Sequence, residues 1–246
     1  MDISSYVLLS HEQALRRQMD VTANNMANTS TVGFKREQPL FHEYVEEGSN
    51  AVPAAKATSF VLDYGAIHDV RMGAFQPTGN ALDVAIDGPG YLAVEAPGGG
   101  TAYTRAGFIK VLPSGDLATA GGQRLLDESG RPITVPPDQQ AGLTIGSDGS
   151  VAGPQGPLGR LAVTVFVDEN AVSPRGDGMM LGAGGRVLTA AETKLISGGV
   201  EGSNVQPIVE TTAMIGILRS YQSSQRMVQA LNDLRKTAID RLGRFT

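Results

Sequence analysis

A chain of 246 residues, 41% hydrophobic and 18% charged, can bury a real core, while 31 glycines and only 5% aromatics argue for many short turns rather than one large helical bundle. The net charge of −5 is unevenly placed: from Val205 onward six bases outnumber three acids, which leaves −8 on the rest, and no basic run is interleaved with aromatics as a nucleic-acid surface would be. Cysteine is absent, which excludes disulfides and thiolate chemistry, and the longest predominantly apolar run, Leu161 to Val167, is far too short to span a bilayer.

The first element is a helix. Val7, Leu8, Ala14, Leu15, Met19, Ala23 and Met26 recur at steps of three, four and seven, with Glu12, Arg16, Arg17 and Asp20 between them: a narrow seam at helical period. Asp2 or Ser4 can cap its start. Asn28-Thr29-Ser30-Thr31-Val32-Gly33 should end it, because short polar side chains compete for backbone hydrogen bonds and glycine permits positive φ. A β-branched residue at Gly33 is therefore expected to be strained, and asparagine best tolerated. Residues 34–70 read as an irregular arm, since Pro39 argues against an uninterrupted helix and Val52-Pro53-Ala54-Ala55 has no period.

Residues 71–192 have strand texture. Short apolar or alternating runs such as Ala81–Ile86, Tyr91–Val94, Gly142–Ile145 and Leu161–Val167 are separated by glycine-rich turns, which predicts an all-β middle domain, sandwich or barrel-like. Gly88-Pro89-Gly90-Tyr91-Leu92-Ala93 fits a dinucleotide fingerprint in outline, but a strand end and a turn follow it where the mechanism needs a helix, so it reads as a tight turn between strands. His11, His42 and His68 have no metal-ligand spacing, and the carboxylates are scattered. No catalytic, metal or cofactor residue is assigned.

Residues 193–246 read as a linker and a second long helix. Met214, Leu218, Tyr221, Val228, Leu231, Leu234, Ala238 and Leu242 mark a seam broken by polar Ser224-Gln225. Pro207 suits a first turn, Ser203 and Asn204 upstream are capping types, and Gly243 lies at the far end. The expected fold is α+β, a β domain flanked by terminal helices (1–33 and 193–246) that pair as a coiled coil. Helices this long need cover, either from each other as an intramolecular stalk or also from neighbouring subunits. The charge asymmetry fits subunit packing and a solvated helix face alike.

Thr22-Ala23-Asn24-Asn25-Met26-Ala27-Asn28 leading to Gly33-Phe34-Lys35 resembles the amino-terminal signature of bacterial flagellar basal-body rod and hook proteins. Thr78–Tyr91 with Tyr103-Thr104-Arg105-Ala106-Gly107-Phe108 is similar to that family's middle domain, and Glu201-Gly202-Ser203-Asn204-Val205 with Glu210, Met214-Ile215 and Arg219-Ser220-Tyr221 to its carboxy-terminal signature. Length and the stretches 16–20 and 240–244 look most like a proximal-rod member, with distal-rod or hook-family subunits the alternative. The resemblance implies a non-enzymatic structural subunit, exported through the flagellar type III apparatus without a cleaved signal and without inserting in a membrane. It would polymerise with copies of itself and other rod proteins into a tube that transmits torque across the periplasm. It implies that Leu8, Leu15, Met19, Leu218, Tyr221, Val228 and Leu231 form an inner helical layer, that Asn24, Asn25 and Asn28 cap helix ends or bond across subunits, that Gly33 and Phe34 turn and anchor the chain, and that Ser203 and Asn204 belong to the same interface. A nicotinamide-dependent oxidoreductase and a monomeric β-domain binding module are the readings from other classes.

Overall fold

The computed structural model describes residues 3–46, 58–167, 172–175 and 178–242. Helix α1 spans Ile3–Ala27 and helix α2 spans Pro207–Leu242, with the strands between them, so the chain is α+β. Asp2, Gly243 and the 52–55 run lie outside the described residues. None of the helices described is long and apolar enough to cross a membrane. The chain divides into a helical unit (Met1–Ala27, Glu37–Ile67, Gln206–Thr246) and a β unit (Asn28–Arg36, His68–Val205).

In the helical unit α1 and α2 pack side by side and antiparallel, as contacts Asn25–Glu210, Arg16–Tyr221, Glu12–Ser224 and Ser5–Arg235 show along their length. On α2 the more covered positions are Glu210, Ala213, Met214, Ile217, Tyr221, Ser224, Gln225, Val228, Leu231 and Arg235, spaced so that they share one face of the helix. These positions keep to the helical repeat of three and four residues and form the face turned to α1. The polar interruption expected at Ser224-Gln225 lies in it, with buried Ser224 donating to Glu12 Oε1 at 3.5 Å. The seam's phase differs from the sequence reading at two positions: Leu218 is 40% exposed and Leu234 66%, because Ile217 and Arg235 take the inward places.

The described residues between 34 and 70 are not an irregular arm. Glu37–Glu46 and Thr58–His68 are two long strands paired with each other. Pro39 is compatible with this because a two-stranded sheet has free edges, where a missing N–H removes no ladder bond. The sheet lies against α1, with Arg17 Nε 3.2 Å from Asp63 Oδ2.

The β unit is a set of antiparallel sheets with one main apolar cluster and two smaller ones. The largest has six strands in the order 172–175, 179–182, 101–104, 91–95, 163–165 and 186–187. Val94, Leu117, Leu125 and Val151 have no exposed surface and centre a cluster drawn from most of the strands. The Gly88–Gly90 stretch is a bend between strands 84–86 and 91–95, and both its glycines have positive φ. The β unit also runs past the expected boundary at 192: Leu195–Ser197 pairs with Val84–Ile86, and Gly199–Glu201 with Phe75–Pro77. Three-residue strands are too short to show a period, which is why they read as linker.

Candidate assembly elements and the buried ion cluster

The segment that follows α1 is held by a buried ionic cluster in the β unit. The Lys35 ammonium lies 2.5 Å from Glu201 Oε1, and Arg105 Nη1 lies 3.0 Å from Oε2; all three side chains are almost fully buried. Glu201 Oε1 also accepts the Gly73 N–H at 2.8 Å, and its carbonyl accepts the Gly33 N–H at 2.8 Å. Lys35 donates to the carbonyl of Arg71 at 2.8 Å, while Arg105 Nη2 donates to Gly88 O at 2.7 Å and its guanidinium sits 5.4 Å above the Tyr91 ring. Two cations thus share one carboxylate and several carbonyls, the kind of multiple bonding that a buried charge requires. Burial and then the Arg105 charge push the Lys35 ammonium below its ordinary pKa, with Glu201 acting the other way.

Asn204 ties in the remaining strand ends. Its Oδ1 accepts the Arg36 N–H at 2.7 Å, and its Nδ2 donates to the carbonyls of Asp69 and Arg71 at 2.7 and 2.9 Å. Asn204 is therefore no helix cap. The first turn of α2 is closed by Glu210 N–H on Gln206 O, and Ser203 Oγ accepts the local Val205 N–H. The ends of the β unit at 28–36, 68–71 and 201–205 are consequently fastened to one another, and three of the chain's passages between units start from this cluster.

Gly33 has φ +71, as its place after the helix predicts. A Cβ there would lie 2.4 Å from the backbone carbon of Arg105, so alanine and asparagine are excluded along with valine. The expectation that asparagine is tolerated fails because close backbone approach, rather than φ alone, demands glycine. Phe34 is half-buried, and its carbonyl accepts the Asn204 N–H at 3.4 Å.

In the helical unit a second polar cluster stands where α1 ends. Asn25 is buried; its Oδ1 accepts the Glu37 N–H at 2.8 Å and its Nδ2 donates to the Glu37 carbonyl at 2.9 Å, so one side chain imitates a paired strand residue. The same Nδ2 is 3.4 Å from Glu210 Oε2 on α2, and Glu210 is itself buried. Asn28 accepts from the Thr31 hydroxyl and backbone, which terminates the helix locally, and Asn24 is exposed.

Of the apolar positions assigned to assembly, Leu8, Leu15, Met19, Tyr221, Val228 and Leu231 fall among the more covered positions of α1 and α2, and Leu218 points outward. Tyr221 receives Arg16 at 3.1 Å on its hydroxyl. Sequence reasoning missed Lys35, Arg105 and Glu201 as a cooperating set, and Glu210 as a partner of Asn25, although each stood inside a stretch it had singled out. No group of metal-binding character occurs among the described residues.

Residues 6–35 match the family described as flagella basal body rod protein, residues 85–153 the flagellar hook protein FlgE/F/G D1 domain, and residues 196–241 the flagellar basal body rod FlgEFG protein C-terminal. Each member of the buried triad lies in a different one of these segments. The chain is 33% identical over 246 residues to the flagellar basal-body rod protein FlgF of Caulobacter vibrioides, covering 100% of both. It is 31% identical to FlgF of Salmonella typhimurium, covering 95% of each, and 30% identical to the rod protein FlgG of Bacillus subtilis, covering 96% of this chain and 98% of the relative.

Proposed function

Starting from the premise that this chain belongs to the flagellar basal-body rod protein family and is a structural subunit of the rod, we propose that it polymerises helically through α1 and α2 and carries torque as part of the proximal rod. The observation that carries this reading is that the two helices pack on one another and still expose large apolar residues, Tyr6 and Leu9 on α1, Ile215 and Leu218 on α2. Surface of that kind on a paired helix is available to neighbouring subunits. The heterologous contacts of such a subunit generate an open helical array. The likeness to FlgF of Caulobacter vibrioides, 33% identical over the full length of both chains against 30% for FlgG of Bacillus subtilis, supports the proximal position.

In this reading the helix pair is a coiled-coil rod core and the subunit contributes no catalysis. It reaches the rod unfolded through the flagellar type III apparatus. The partners are copies of itself and other rod proteins. Leu218→Asp tests the interface directly, since Leu218 lies outside the intrachain seam: it is expected to abolish motility and recovery of the protein in purified basal bodies while thermal unfolding of the isolated chain is unchanged. Normal incorporation of the variant would place the subunit contact elsewhere.

A further inference from the structure

The two-stranded sheet of the helical unit, Glu37–Glu46 with Thr58–His68, has two unlike faces. Side chains alternate along a strand, so two contacts are enough to sort them. The Arg17–Asp63 ion pair turns the face of Phe41, Glu43, Val61 and Asp63 toward α1, and the Ser59 hydroxyl donates to Glu43 on that same side. On the other face the His42 and Tyr64 rings stand 6.1 Å apart, with Leu40, Tyr44 and Leu62 around them. Tyr64 is 74% exposed and Tyr44 53%, Leu40 and Leu62 are exposed too, and no charged residue falls on that face from Gln38 to Tyr44 or from Phe60 to Ala66.

Helix α2 has an equally open surface on the side away from α1. Ile208, Ile215, Arg219, Gln222 and Arg226 follow steps of seven, four, three and four residues and share one stripe, all of it exposed, with exposed Leu218 at its border. From Ile208 to Arg226 the exposed charges are the two arginines, because Glu210 is buried beside Asn25. The next acid on this side, Asp233, lies about 10 Å further along the helix. Both surfaces are open in the single chain, so neither covers the other within a copy.

Resting on the reading that subunits polymerise through these helices, we infer that the aromatic face of the sheet in one copy seats on the outward stripe of α2 in a second copy. Charge selects α2 as the occupant. The two strands hold four carboxylates, Glu37, Glu43, Glu46 and Asp63, and no Lys or Arg, whereas α1 balances Glu12 and Asp20 with Arg16 and Arg17. Sheet against sheet would set two wholly acidic strand pairs together; the α2 stripe brings Arg219 and Arg226 instead. The rings of Tyr44 and Tyr64 are surfaces on which a guanidinium stacks favourably. Ile208, Ile215 and Leu218 supply apolar area for Leu40 and Leu62. Each copy carries one surface of each kind, so the contact is heterologous and repeats from subunit to subunit.

The chain has no tryptophan, so full-length Tyr64→Trp places a lone fluorescent reporter in the aromatic face. Its emission is expected to shift to the blue as the protein is concentrated into the range where it associates, with the melting curve unchanged. Adding Ile215→Asp should remove the shift and weaken association about ten-fold in sedimentation velocity. A trace of that double variant should regain the shift in excess wild type, because its own sheet is intact, and should not regain it in excess Ile215→Asp. Arg219→Gln with Arg226→Gln should weaken association about three-fold at low salt and little at high salt. Association without a blue shift places the sheet outside the contact, and a shift that survives Ile215→Asp means that the face meets another sheet or α1. Either result overturns the inference and leaves polymerisation through the helices standing, as does failure of wild type to restore the shift or undiminished association of the glutamine pair. A wild type that stays monomeric at every concentration overturns both.

Discussion

The two units solve the problem of burial differently. The β unit hides a large apolar cluster and places its ions, Lys35, Arg105 and Glu201, at its margin where strand ends meet. In α2 the only fully buried residues are polar, Glu210 and Ser224, and large apolar side chains remain outside. A unit with its own hydrophobic core can hold its shape alone, since burial supplies most of folding's driving force. A unit whose deepest groups are hydrogen-bonded polar ones gains less from burial and more from specific alignment. The apolar core thus lies mainly in the β unit, while the helix pair leaves large apolar side chains exposed.

The largest expected effect lies in the β unit. Glu201→Gln leaves Lys35 and Arg105 buried without a counter-charge and should lower stability by about 3–5 kcal/mol, measured as a shift of the urea midpoint of the purified chain. A shift within error would mean that water reaches the cluster, and the contrast drawn above would weaken. Of middling size is Asn25→Ala. It removes the Asn25 bonds to both backbone groups of Glu37 and should cost about 1–3 kcal/mol, seen as faster amide exchange in 3–27 and 37–46 with protection of the β-unit strands unaltered. Equal loss in both units would show that they unfold as one.

The smallest effect is local and depends on pH. Bonds from Arg186, then from the backbone and side chain of Thr189, lower the Glu192 carboxyl from 4.5 to about 2. A carboxylate depressed in the folded state stabilises the fold above its ordinary pKa, and that contribution is lost as pH falls from 4.5 toward 2. The Thr189 amide, 3.0 Å from Glu192 Oε2, should therefore lose protection across that window and not above it. Glu192→Gln should abolish the transition, and titration of the amide by NMR checks both.

The sequence shows the helices plainly because a period of three and four residues persists over their whole length. Gly33 was legible in its φ but not in its tightness, since the atom it approaches belongs to Arg105, far along the chain. The strands at 37–46 and 58–68 were hidden by Pro39, which reads as a breaker unless the sheet is known to have only two strands. The triad was illegible for another reason. Charged side chains are rarely buried, and the bonds to Glu201 span 166 and 96 residues, beyond any local pattern.

The long span of the Lys35–Glu201 pair has a consequence in time. A chain emerging amino terminus first presents Lys35 and Arg105 well before Glu201 arrives. Until then the cluster lacks its anion, and two cations oppose docking of the 28–36 segment. Closing so long a loop is also entropically costly before any contact compensates. The last strand of the β unit thus acts as a clasp: the stretch leading out of the first helix is fixed only once nearly everything between the two helices has been delivered.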